Sequence, residues 1–290
     1  MDQNSRAVSK VTVPLILDRK LRGLKITCLT AYDYPSARLV DEAGIDMILV
    51  GDSLAQTVMG YASTIPVTLK EMLHHLKAAR RGIQRALLIA DLPYGAYHIS
   101  DEQAITCSMR YIKEGGAEAV KLEGGRKRAG LVRRLVDAEI PVMGHIGLTP
   151  QAVHVLGGYR VQGRTIEAAS DLLSDAEALE EAGAFALVLE GIPRELAAVI
   201  TNRLRIPTIG IGAGPDCDGQ VLVFHDLVGL SFGPHAKFVR SYADTGNTMR
   251  QAFRRFHQDV TQGQYPNDEE SYHWPAALRT EFEKELTRSA

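Results

Sequence analysis

The chain has little cysteine, few aromatics and almost no excess charge. Its three cysteines, Cys28, Cys107 and Cys217, are widely spaced in 290 residues and form no C-x-x-C pair. An odd, scattered set supports neither a disulfide framework nor a zinc ribbon, and we read the three as reduced thiols. Lysine and arginine number 33 against 35 acids, a formal net charge of -2, so neither nucleic acid nor an anionic membrane surface is indicated as a partner. No stretch approaches the roughly 18 apolar residues of a membrane span, and Met1 to Lys10 is polar, without the apolar core of a secretory leader. The expectation is a cytoplasmic enzyme acting on small molecules.

What is present is a repeated phrase. Glu42-Ala43-Gly44 leads through an apolar run to Asp52, Glu114-Gly115-Gly116 leads to Glu123, and Glu181-Ala182-Gly183 leads to Glu190. A shorter copy, Leu87-Leu88-Ile89-Ala90, ends at Asp91. Each reads as helix, glycine stop, strand, acid. Short apolar runs bounded by glycine suit strands buried on both faces, as in a parallel sheet covered by helices. Six to seven such units imply an α/β fold, a (β/α)8 TIM barrel with an additional C-terminal helix, although a doubly wound sheet stays possible. We expect one barrel domain over residues 1–290, with a polar N-terminal arm to about residue 22 and a helical tail over about 245–290. In either fold the strand ends share one face, so Asp52, Asp91, Glu123 and Glu190 converge there.

Between the strands, Leu69, Met72, Leu73 and Leu76 make one apolar helix face, and Gly115-Gly116 supplies a left-handed stop after the helix over 101–114. The eighth unit, around Val221 to Leu230, is the least legible. Residues 146–165 form a long loop, of the kind that is usually functional or disordered. In the tail, Met249, Phe253, Phe256 and Val260 form a stripe that must pack on its own barrel or on a neighbouring subunit. Gly210-x-Gly212-x-Gly214 lacks dinucleotide-site spacing and reads as close packing or close approach to a ligand. Arg126-Lys127-Arg128 reads as solvated helix-end charge.

Asp52, Asp91 and Glu123 suit a hard cation such as Mg²⁺, which prefers oxygen ligands and keeps several waters; no paired-histidine motif points to zinc. Lys121 and Glu123 are two apart on one strand and share a face. A lysine inside a barrel needs an anion, and a substrate carboxylate would serve. Glu190 ends another strand among Val188, Leu189, Gly191 and Ile192, a setting that suits a general base. His145 reads equally as a hydrogen-bonded core histidine or a substrate contact. A metal on the keto and carboxylate oxygens of a 2-oxo acid would acidify the adjacent carbon, so these parts together suggest enolate chemistry.

Several ordered motifs carry a resemblance: Val50-Gly51-Asp52-Ser53-Leu54, Ala90-Asp91-Leu92-Pro93-Tyr94, Val120-Lys121-Leu122-Glu123-Gly124-Gly125, Gly144-His145-Ile146-Gly147-Leu148-Thr149-Pro150-Gln151, Leu189-Glu190 and Ile209-Gly210-Ile211-Gly212-Ala213-Gly214. From about Ile26 to Tyr265 the chain resembles the ketopantoate hydroxymethyltransferase family. That resemblance implies a barrel of the phosphoenolpyruvate mutase and isocitrate lyase type. It also implies hydroxymethyl transfer from 5,10-methylenetetrahydrofolate to 3-methyl-2-oxobutanoate, giving 2-dehydropantoate for pantothenate and coenzyme A synthesis. By the same resemblance Asp52, Asp91 and Glu123 match a Mg²⁺ site; Asp52, Ser53, Asp91 and Lys121 match oxo-acid contacts; Glu190 matches the proton acceptor; and the assembly is a homodecamer. Ala55 stands where a glycine usually follows Ser-Leu, and Ala62 where an aspartate follows Gly-Tyr. Two other readings remain: a carbon–carbon lyase or mutase of the same superfamily, whose Lys-Cys-Gly-His stretch is here broken by Met143, and a non-catalytic oligomeric binding protein.

Overall fold

The structure, a computed structural model, describes residues 9–289. The first eight residues of the expected N-terminal arm therefore lie outside the described part. Eight parallel strands close into a barrel in chain order: β1 (Ile26–Thr30), β2 (Met47–Val50), β3 (Leu87–Asp91), β4 (Ala119–Glu123), β5 (Val142–Gly147), β6 (Ala186–Glu190), β7 (Thr208–Ile211) and β8 (Gly219–Leu222). β8 returns to pair with β1, so no sheet edge is left open. A doubly wound sheet is thereby excluded.

Among the described residues twelve α-helices accompany the strands. In chain order they are α1 (Val13–Leu21), α2 (Tyr34–Glu42), α3 (Leu54–Thr57), α4 (Leu69–Arg80), α5 (Asp101–Gly115), α6 (Arg126–Asp137), α7 (Val153–Leu156), α8 (Ile166–Glu181), α9 (Arg194–Arg203), α10 (Phe224–Leu227), α11 (Thr245–Thr261) and α12 (Ala276–Ser289). Their starts are written in the sequence. Thr68 and Glu71 form a reciprocal capping box at α4, and Asp33 caps α2 with Ser36; such caps satisfy backbone N–H groups that the first helical turn leaves unpaired. Gly116, at φ 70°, is the left-handed stop of α5 that the sequence predicts.

Strand residues alternate between two cores, because successive side chains point to opposite faces. Val120 and Leu122 of β4 pack outward with the helices, whereas Ala119 packs inward with Leu87, Ile89, Met143, Ala186 and Val188. The same parity carries Asp91, Lys121, Glu123, His145 and Glu190 inward, two or four residues further along their strands. The barrel interior is thus apolar below and charged at its carboxyl end.

The lower end is closed by an element the sequence does not announce. Residues 13–21, expected as part of a polar arm, form α1, whose Ile16 is fully buried with Val11 and the apolar barrel interior. Lys20 on α1 pairs with Asp218 at 2.6 Å and donates to the Thr201 carbonyl at 2.9 Å. The eighth unit is short: β8 has four residues and α10 another four. The glycine motif is packing: a Cβ at Gly212 would stand 2.6 Å from the Phe238 ring, and one at Gly214 would stand 2.6 Å from Arg194. On α11 the tail stripe is open in the single chain, with Phe253 61% and Phe256 58% exposed, so its own barrel does not cover it.

Ile16 is the point at which α1 is anchored. Replacing it, Ile16→Ala, is expected to cost about 2–4 kcal/mol through lost burial and an unfilled cavity. Urea unfolding monitored by circular dichroism measures this, and an unchanged midpoint would mean that the plug contributes nothing to the fold.

Candidate active site

Strand register explains why acids far apart in sequence become neighbours. In the β3–β4 ladder Asp91 lies opposite Lys121, and in the β4–β5 ladder Glu123 lies opposite His145. The β5–β6 ladder sets Gly147 against Glu190 and His145 against Val188, which brings the imidazole within reach of Glu190. Asp52 stands just past β2, where the strand turns into the one-turn helix α3, and Ser53 holds the position before that turn without a side-chain cap bond.

Lys121 binds both oxygens of Asp91 at 2.7 Å, with both side chains buried. The anion that the sequence expectation assigns to a substrate is therefore already supplied by the protein. Asp52 approaches Asp91 through its backbone N–H, at 3.4 Å from Asp91 Oδ2. His145 stands between two acids: its Nδ1 is 3.5 Å from Glu123 Oε1 and its Nε2 is 3.2 Å from Glu190 Oε2. Neither contact completes a hydrogen bond, so both ring nitrogens and Glu123 Oε1 are buried polar atoms still lacking a partner. Glu190 is the most open of these acids, its side chain 16% exposed. The sequence surrounds Glu190 with apolar residues, but its nearest polar neighbour in space is this histidine.

Three residues that sequence reasoning assigned no role complete the network. Gln151, in the loop after β5, donates through Nε2 to Asp52 Oδ2 and to the Leu92 carbonyl, each at 2.9 Å. The Leu92 carbonyl can only accept, which fixes the amide orientation. Gln151 also donates its backbone N–H to Glu123 Oε2 at 3.0 Å and accepts from the Tyr97 hydroxyl at 2.7 Å. Tyr97 in turn accepts the Glu123 backbone N–H at 3.2 Å. On the other side, the Tyr32 hydroxyl is 2.8 Å from Ser53 Oγ, and its ring stacks on His225. Gln151 ends the Gly144–Gln151 motif, but no charge or periodicity marks it. Ala55 is fully buried in α3 and Ala62 lies on the exposed stretch beyond it; neither brings a polar side chain to the acids.

The electrostatics follow from burial. Asp52 is held well above the ordinary value of 3.8, first by burial and then by the charges of Asp91 and Glu123. Burial likewise raises Asp91, against the pull of Lys121. Burial works to raise Glu123 as well, yet His145, Lys121 and the Gln151 N–H outweigh it and leave its pKa lowered. Burial and Lys121 oppose a proton on His145, but its two flanking carboxylates prevail and hold its pKa at about 9.

With all four acids ionised and both Lys121 and His145 protonated, the cluster has two negative charges in excess, the charge of one divalent cation. The donors are oxygens, the kind Mg²⁺ takes from one or two carboxylates while keeping waters and substrate oxygens. Among the described residues no three acidic, histidine or cysteine side chains already surround one point at ligating distance. The arrangement is therefore an acid cluster that fits a hydrated divalent ion, with Asp91 shared with Lys121, rather than a closed protein cage.

Comparison with known proteins agrees with this geometry. A family model described as ketopantoate hydroxymethyltransferase matches residues 10–268. A protein named 3-methyl-2-oxobutanoate hydroxymethyltransferase from Koribacter versatilis (strain Ellin345) is 61% identical over 275 residues, covering 95% of this chain and 93% of that one. Among solved structures, 2,3-dimethylmalate lyase, a PEP mutase/isocitrate lyase superfamily member, matches with a TM-score of 0.57 at 19% identity, over 97% of this chain and 99% of that chain. Phosphonopyruvate hydrolase, solved with oxalate and Mg²⁺, matches with a TM-score of 0.58 at 14% identity, over 95% and 96%. These two likenesses are of fold.

Two outcomes follow from the geometry. Because the pKa values of Asp52 and Asp91 are raised above the ordinary 3.8, protons compete with an entering cation for their oxygens. Mg²⁺ binding is expected to release protons and to weaken as pH falls through their raised range. Calorimetry in buffers of different ionisation enthalpy reads this, and affinity independent of pH would contradict it. Gln151→Ala leaves the Leu92 carbonyl without its Gln151 donor and the Tyr97 hydroxyl proton without an acceptor in the interior, and is expected to cost about 1–3 kcal/mol in denaturant unfolding. A change within error would show that water replaces the amide freely.

Proposed function

The chain belongs to the ketopantoate hydroxymethyltransferase family, and from that premise we propose that it transfers a hydroxymethyl group from 5,10-methylenetetrahydrofolate to 3-methyl-2-oxobutanoate, giving 2-dehydropantoate. The observation that carries this reading is the division of the buried acids into two groups. Asp52, Asp91 and Glu123 are tied to Lys121 and Gln151, while Glu190 stands apart beside His145, partly open.

Asp52, Asp91 and Glu123 are the residues that would hold Mg²⁺. When bound, the ion supplies a positive field for negative charge developing on a substrate oxygen. Lys121 adds a second cation on the same side, and Ser53, oriented by Tyr32, offers a hydroxyl to the oxo acid. Glu190 takes the proton from C3 of the oxo acid, leaving a nucleophilic carbon beside the one-carbon donor. His145 steadies Glu190 while it is anionic and turns toward Glu123 as the proton arrives. The low-dielectric interior makes each of these charges count for more than it would in water.

A carbon–carbon lyase would need a thiol at the mouth. Cys28, which packs inside the barrel, is instead pushed up to about 12 by burial, and Met143 occupies the strand position before Gly144-His145. The tail from about residue 245 carries the exposed stripe Met249, Phe253, Phe256 and Val260, which suits a homo-oligomer, a ring-stacked decamer by family likeness.

Incubation with Mg²⁺, 5,10-methylenetetrahydrofolate and 3-methyl-2-oxobutanoate is expected to yield 2-dehydropantoate. Glu190→Gln is expected to lower kcat by about 10²–10⁴-fold with Mg²⁺ affinity retained. Folded, metal-loaded protein that makes no product would end the reading; full turnover by the variant would remove Glu190 from the base role.

A further inference from the structure

Beside the acid cluster, between the loops that follow β3, β4 and β5, lies a cleft of about 240 Å³. Glu123 and Gln151 form its inner wall, so the cleft adjoins the site of chemistry without being part of it. Its sides are aromatic. The His98 ring lies 4.5 Å from that of Tyr94 and 4.2 Å from that of Tyr97, centroid to centroid. The Arg128 guanidinium lies 5.0 Å from the Tyr97 ring centroid.

The outer wall is cationic. Arg126, Lys127 and Arg128 fill the first turn of α6, which carries no acid. Cations at a helix start oppose the helix dipole and cost stability, so an anion is favoured there. Arg126 has its own answer in Asp171 and Asp175. Lys127 and Arg128, which line the cleft, have no acidic partner among the described residues, and Arg128 Nε is a buried donor without an acceptor. Burial, with Arg128 and Lys127, also holds His98 below its usual value, the sign of a positive field in the cleft. The sequence expectation of solvated helix-end charge fits Arg126 and Lys127, both exposed, whereas Arg128 is half-buried against Tyr97.

We propose that this cleft is the subsite for the p-aminobenzoyl-glutamate end of the folate co-substrate, with the ring against Tyr94 and His98 and the glutamate carboxylates at Lys127 and Arg128. The assignment rests on the transferase reading above. The oxo acid is consumed at the acid cluster and is too small to need a second, aromatic chamber. The folate is the reactant that is both aromatic and polyanionic, and it must arrive next to the oxo acid. A cleft of this volume is smaller than the roughly 300 Å³ and more that enclose a whole drug-sized ligand. It therefore takes one end and leaves the pterin and the reactive methylene over the barrel mouth.

Steady-state kinetics on Lys127→Glu and Arg128→Gln test the assignment, with mono- and triglutamyl 5,10-methylenetetrahydrofolate as probes. Lys127→Glu is expected to raise KM for the monoglutamyl folate about tenfold, and by more for the triglutamyl form. KM for the oxo acid is expected to move by less than about twofold, the scale of an indirect surface effect. Folate KM unchanged in both variants, or both substrates losing affinity in parallel, overturns the subsite. The underlying reading is checked separately in the unsubstituted protein by deuterium exchange at C3 of the oxo acid without folate. If neither exchange nor turnover occurs there, the functional reading fails and takes the subsite with it.

Discussion

Burying several carboxylates within one barrel mouth is the constraint on which the rest of the structure depends. Like charges in a low-dielectric interior repel strongly, and a buried charge without a partner costs several kcal/mol. The fold meets this cost with two basic groups and one amide. Lys121 neutralises Asp91, His145 stands between Glu123 and Glu190, and Gln151 ties Asp52 to the loop that also caps Glu123. What remains is a negative excess suited to a divalent ion, and acids whose raised proton affinity sets protons and an arriving cation in competition.

The barrel makes this tolerable by layering. Apolar side chains of all eight strands, together with Val11 and Ile16, fill the lower interior, so the charged layer does not have to hold the strands together. The helix-facing core, which runs from Ala31 to Cys217, supplies most of the burial. Stability and chemistry are thus assigned to opposite ends of the same strands, as is usual in this architecture. α1 serves stability, because it seals water from the apolar end and leaves the carboxyl end as the open one.

The strands, their order and their terminal acids are legible in the sequence because each signal is local. An apolar run, a glycine stop and an acid fall within about ten residues, the length of one βα junction. Lys121 and Glu123 are legible as a pair because strand alternation is fixed. What could not be read depends on register and on distant surfaces. The meeting of His145 with Glu190 requires the β5–β6 ladder, and no spacing in the chain encodes it. Gln151 is a neutral residue in a loop, and its importance appears only when Asp52, Leu92, Tyr97 and Glu123 are brought around it. α1 is read as part of a polar arm because Lys10, Asp18, Arg19 and Lys20 flank its apolar residues Val13, Leu15, Ile16, Leu17 and Leu21; Lys10 and Lys20 find their partners, Glu118 and Asp218, only once the barrel exists.

The position of His145 links the two halves of the cluster. A neutral imidazole between two carboxylates could donate to only one of them, whereas an imidazolium can face both. Its raised pKa therefore reflects the joint demand of Glu123 and Glu190, and relieving either demand weakens its hold on the proton. In the proposed reaction Glu190 accepts a substrate proton; one of the two negative charges facing the ring is then lost, and the imidazolium is left to Glu123 alone. Under that reading the effective charge at Glu123 falls as Glu190 becomes neutral, so the proton state of Glu190 would be sensed across the ring at Glu123. By this geometry His145 is the group that couples Glu190 to Glu123, and through it to the rest of the acid cluster, as one electrostatic unit.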